Sequence, residues 1–143
     1  MDAAARARRL YFHGMLLVVA GLVIGTGIQA FANPRMGLSA HTGTLMNGIL
    51  VIAMGAFWSR LDLVARAETV AWWLVVAGSW LNCAGLVGAA AFGTRLTTPL
   101  HGAEHAGPPV AEAVVGALLV VGGVAFLAGC AAATWGLRGS DRR

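Results

Sequence analysis

The chain has 143 residues, of which 58% are hydrophobic and only 11% charged, and its mean hydropathy is +0.74. Soluble domains carry about 25% charged residues, so this composition excludes an ordinary soluble fold. All ten basic residues are arginine, clustered between long uncharged stretches; the pI near 10.5 therefore marks membrane flanks, not a basic face that would follow nucleic acid.

A spanning helix needs about 20 apolar residues to cross about 30 Å of hydrocarbon. Four stretches meet that requirement: residues 10–32, 39–58, 69–92 and 110–137, with Glu112 the lone charge near an end. Short connections leave no room for a soluble domain, so residues 1–143 read as one all-α transmembrane domain. The expected architecture is a four-helix bundle, multi-pass in the cell's inner membrane and surrounded by lipid bilayer. Arg6, Arg8 and Arg9 followed by an apolar run and Ala30-Phe31-Ala32 imitate a secretory signal. That run exceeds the usual signal core, and it is read as the first span. Eight of the ten arginines fall at the two termini and the second connection, against Arg35 and Arg95 in the first and third. This predicts both termini in the cytoplasm.

The first span carries Gly21-xxx-Gly25, a close-packing spacing in membranes, and ends at Asn33-Pro34, where proline stops a helix. Cys83 and Cys130 sit at different depths of the third and fourth spans, so no disulfide is expected. Residues 93–112, GTRLTTPLHGAEHAGPPVAE, form the one long connection. Its His101, Glu104 and His105 have a metal-ligand order, but Gly102, Gly107 and two prolines break the helix such a motif needs. Solvated loop histidines, or a lid over an outward site, are the readings left. Phosphate loops, dinucleotide fingerprints and nucleophile elbows are absent from the sequence.

Polar side chains inside a span are costly and mark candidate sites. Here they are Gln29, His41, Thr42, Thr44, Asn47, Ser79 and Asn82, with His13 at the start of the first span as an interfacial or capping group. At ~1.5 Å per residue, Asn47 lies about 12 Å below the outer end of its span and Asn82 about 15 Å, so the two share a layer. His41 and Asn47, six residues apart, point about 120° apart and face different neighbours. His41 shares its face with Gly48, Ile52 and Gly55, a groove of small residues with room for a flat macrocycle. The alternative is plain packing, with His41 bonding a carbonyl and the asparagines joining helices, each bond worth about 0.6 kcal/mol.

The stretch NPRMGLSAHTGTLMNG at 33–48 resembles the hydroxylaminobenzene mutases, small four-helix membrane enzymes related to the styrene oxide isomerases. His13-Gly14, Trp80 with Asn82, the proline- and histidine-bearing third connection and Trp135-Gly136-Leu137-Arg138 extend the resemblance over most of the chain. It implies a homotrimer with haem b between subunits, His41 as axial ligand to the iron, Gly48 and Gly55 beside the cofactor, and Asn47 and Asn82 as the catalytic pair orienting a small aromatic substrate. The epoxide isomerases carry an aspartate and a tyrosine where this chain has Gly78 and Leu86, which favours the mutase branch. The expected reaction is intramolecular rearrangement of an aryl hydroxylamine to 2-aminophenol, with haem iron as Lewis acid. Alternatives are Meinwald-type opening of an aryl epoxide to an aldehyde, and a non-catalytic haem-binding electron carrier, sensor or packing scaffold. Composition and spacing assign no role to Glu104.

Overall fold

A computed structural model describes residues 2–102 and 104–139. Among the described residues five α-helices follow one another: α1 (Ala3–Thr26), α2 (Pro34–Phe57), α3 (Ala65–Phe92), the single turn α4 (Pro99–Gly102) and α5 (Pro109–Gly136). Each of the four long ones is apolar and long enough to cross a membrane. One end of the molecule, the near end, holds the start of α1, the α2–α3 connection and the finish of α5. The far end holds the α1–α2 and α3–α5 connections.

Local chemistry sets these boundaries. Asp2 caps α1 by accepting the Ala5 N–H at 2.7 Å, and Asn33 caps α2 ahead of Pro34, whose fixed φ suits the first helical position. Gly93 ends α3 at φ +62°, a left-handed conformation that glycine adopts without strain. The first span therefore begins at Ala3 instead of residue 10 and closes at Thr26, followed by a 3₁₀ turn at Ile28–Ala30. Hydropathy misses its first two turns because they carry arginine, a good helix former. Arg142 and Arg143, counted as membrane flank, lie outside the described residues.

The long helices form two antiparallel hairpins, α1 with α2 and α3 with α5, joined through α2 and α3. Small residues bring each pair to backbone contact. A Cβ placed on Gly48 would lie 2.8 Å from the Gly14 carbonyl oxygen, and one on Gly78 2.5 Å from the Phe126 nitrogen. Leu10, Leu17, Val51, Trp58, Trp72 and Val75 fill the near-end core. A smaller far-end cluster gathers Met36, Ala89, Ala90 and Val115, with Phe31, Leu86 and Leu119 against it.

Arg6 departs from its expected role as a solvated flank. It is 7% exposed, ion-paired with Glu68, and donates to the Thr69 hydroxyl at 2.6 Å. Trp58 donates to the same Glu68 carboxylate at 3.1 Å, and Trp72 to the Arg6 carbonyl at 3.2 Å. The charge is compensated inside the protein and ties α1 to α3, as burial of an ion at a membrane helix end requires.

Candidate active site

Because α2 has 3.6 residues per turn, its polar side chains leave on two faces, and the structure gives each face its own neighbour. His41 turns toward α1. Its Nδ1 lies 2.7 Å from the Gly21 carbonyl oxygen, and the ring rests on Gly25, where a Cβ would meet Nδ1 at 2.6 Å. Gly21-xxx-Gly25 thus seats a histidine ring: the first glycine presents the carbonyl, the second leaves the space. Asn47 turns toward α3, where its Nδ2 donates to Asn82 Oδ1 at 3.0 Å. One turn toward the far end, the Thr44 hydroxyl donates to Cys83 Sγ at 3.3 Å.

Asn47 and Asn82 meet, as residues of one layer should, although α2 starts five residues earlier than expected. Measured from Pro34, Asn47 is about 20 Å deep and Asn82 about 15 Å from the end of α3; the helices are offset enough for the amides to meet. Two other placements need correction. The groove of small residues below His41 is filled by α1, since Gly48 abuts Gly14 and Val18, and Gly55 abuts the Ala7 carbonyl and the Tyr11 ring. Within one chain Gly48 and Gly55 pack helices, and a macrocycle laid against them would have to displace α1. His13 is not a capping group, because α1 starts ten residues before it. Its Nδ1 accepts the Trp80 Nε1–H at 3.3 Å, and its ring meets Trp72 edge-on.

A haem ligand must offer one imidazole nitrogen outward while the other is held by a hydrogen bond. His41 meets that requirement. With Nδ1–H donated to Gly21, Nε2 keeps its lone pair, has no hydrogen-bond partner among the described residues and is not enclosed. The asparagine pair has spare capacity too. Whichever way the two amides are oriented, one N–H···O bond between them leaves one carbonyl oxygen and one amino group unused. Cavities of 280 to 380 Å³ open against the far-end loop at Arg95 and Glu112 and along α3 and α5. His41 is half-buried, and its Nε2 is not among the enclosed polar atoms of the described residues.

In the long connection His101 contributes its carbonyl, which accepts from Asn33 Nδ2 at 2.8 Å, while its side chain and that of Glu104 are exposed. His105 Nε2 lies 3.2 Å from the Ala32 carbonyl oxygen. Among the described residues no three His, Cys, Asp or Glu side chains converge. Glu112 turns back to accept the Arg95 and Leu96 N–H groups at 2.9 and 3.0 Å, folding the loop onto α5. Sequence reasoning missed Gly21 and Gly25 as the seat of His41. The usable signal was their depth, two small residues on the neighbouring span at the level of the histidine.

Residues 6–138 match the family model described as styrene oxide isomerase. Hydroxylaminobenzene mutase HabB of Ectopseudomonas oleovorans is 34% identical over 145 residues, covering 98% of this chain and 86% of its own length. Hydroxylaminobenzene mutase HabA of the same organism is 34% identical over 111 residues, covering 77% and 82%.

Proposed function

From the premise that this chain belongs to the styrene oxide isomerase family, and is an isomerase like its mutase relatives, we propose that it rearranges an aryl hydroxylamine to a 2-aminophenol. The observation that carries this reading is the division of α2: an imidazole with one open nitrogen on the α1 side, and an amide pair with one free donor and one free acceptor on the α3 side.

In this reading Asn47 and Asn82 bind the N–OH group. The unused carbonyl accepts the substrate N–H, and the unused amino group donates to its oxygen, which holds that oxygen over the ring and stabilises charge as the N–O bond weakens. His41 would hold the cofactor through Nε2, and its bond to the Gly21 carbonyl fixes the tautomer and raises the basicity of that nitrogen. Haem b bound there would supply a Lewis-acidic iron, the chemistry suited to weakening an N–O bond. The same oxygen leaves nitrogen and joins the ortho ring carbon, and that carbon's proton passes to nitrogen, so no water or redox partner is consumed.

The assembly proposed is a homotrimer in the inner membrane with both termini cytoplasmic. The half-buried His41 ring, with Nε2 unbonded among the described residues, supports a second copy completing the site. Exposed Arg8, Arg9, Arg60, Arg66 and Arg138 at the near end support the orientation. The epoxide alternative is disfavoured at two places. A side chain at Gly78 would enter the backbone of Phe126, and Leu86 lies on Gly43, so neither position offers a carboxylate or phenol to a substrate. Purified protein assayed with phenylhydroxylamine and with styrene oxide tests the reading: 2-aminophenol is expected, and turnover of the epoxide alone would overturn it. A Soret band lost in His41→Ala is expected, and a colourless parent protein made with ample haem would remove the cofactor from the proposal.

A further inference from the structure

Asn33 does more than cap α2. It is fully buried, and each of its polar groups is used. The backbone N–H donates to the Ala90 carbonyl at the end of α3, the backbone carbonyl accepts from Gly37, Oδ1 accepts the Met36 N–H at 3.2 Å, and Nδ2 donates to the His101 carbonyl at 2.8 Å. One residue thereby ties α2, α3 and the third connection together. His105 adds a second stitch between the same loops through the Ala32 carbonyl.

What lies beneath this clasp follows a strict order. Below Asn33 on α2 come Met36, Gly43, Thr44 and Asn47; below Ala90 on α3 come Leu86, Cys83 and Asn82. Met36, Ala89 and Ala90 form an apolar plug with Leu86 and Phe31 packed on it, and the polar layer of Thr44–Cys83 and Asn47–Asn82 begins only under the plug. Along the bundle axis a hydrogen-bonded clasp and an apolar cluster thus stand between solvent at the far end and the half-buried asparagines.

We propose that Asn33 is a positioning residue that determines product identity by keeping water off the reacting centre. The inference rests on the aryl hydroxylamine reading. An aryl hydroxylamine losing its N–O bond leaves an electron-poor ring, and exclusion of water suppresses its capture by solvent. With the clasp closed, the substrate's own oxygen reaches the ortho carbon. With water admitted, a water oxygen bonds to the para carbon, the original hydroxyl departs as water with a proton from the attacking molecule, and the displaced ring proton passes to nitrogen. The product becomes 4-aminophenol carrying a solvent oxygen.

Asn33→Asp isolates the clasp, because aspartate caps a helix as well as asparagine but sets a carboxylate oxygen against the His101 carbonyl. His105→Phe breaks the second stitch while keeping a ring over Gly93, and stands in if Asn33→Asp does not fold. Cys83 is a built-in reporter in a Cys130→Ala background. In membranes, a water-soluble maleimide should alkylate it at least about tenfold faster in either clasp variant than in the parent, the opening expected for one lost buried hydrogen bond. In water enriched in oxygen-18, the variants should release labelled 4-aminophenol alongside unlabelled 2-aminophenol. Unchanged alkylation in both variants would overturn the clasp as a water seal. Faster alkylation with wholly unlabelled 2-aminophenol would overturn its role in product identity. A parent that converts no aryl hydroxylamine would instead refute the functional reading, and the alkylation rates would still decide the seal.

Discussion

Gly25→Ala puts the seat of His41 to a direct test. The added methyl would sit 2.6 Å from Nδ1 and 2.7 Å from Cε1 of the ring, where ordinary contact requires about 3.5 Å, so the imidazole must shift by roughly 1 Å. Its bond to the Gly21 carbonyl, now 2.7 Å, is then stretched beyond useful length. Losing that bond costs about 1 kcal/mol, and loss of such an outer partner lowers metal affinity about 10- to 100-fold. The ring is a side chain that can yield, so the fold should survive. Haem titration followed at the Soret band and 2-aminophenol formation at saturating haem are the assays, with Gly123→Ala as control because its Cβ would meet nothing within 4 Å. Haem affinity unchanged within twofold in Gly25→Ala would refute the argument that the Gly21 carbonyl orients the ligand.

Three further outcomes are expected. Asn47→Leu and Asn82→Leu should each lower kcat/KM by about 100-fold, and the double variant by little more, because the amides act as one unit; steady-state kinetics with additive losses would count against the pair. Gly78→Ala should destabilise by about 1–3 kcal/mol through overpacking against the Phe126 backbone, and Gly78→Asp by about 3 kcal/mol more, without gain of epoxide turnover; thermal unfolding in detergent and a styrene oxide assay check both. Arg6→Met should cost about 3 kcal/mol by leaving Glu68 unpaired, whereas Arg6→Met with Glu68→Met should recover most of it, again read by thermal unfolding.

Much of the site was legible from spacing. A fixed rise and a fixed turn per residue put Asn47 level with Asn82 and turned His41 away from Asn47, and these relations survive an error in where α2 begins because they depend on differences along the helices. The end of α3 at Phe92 is likewise local chemistry, whereas Asn33-Pro34, read as the stop of the first span, caps and begins α2, because α1 already closes at Thr26. Asn33 as a clasp was not legible, since its partner carbonyl at His101 is 68 residues away and any backbone carbonyl looks alike in a sequence. Arg6 read as a flank because hydropathy scores a residue alone, while its burial depends on Glu68 from another helix.

Four apolar spans, their capped ends and the two faces of α2 belong to the amino-acid sequence by itself, because helix geometry and the bilayer leave few other ways to satisfy the backbone. Which neighbour each face receives was decided by tertiary structure. A stripe of small residues such as Gly48 and Gly55 admits a flat ligand or another helix equally well, and only the packing of α1 into that stripe settled it. The same packing left His41 with one nitrogen held and the other open, because side chains on different helices acquire partners only when the helices meet.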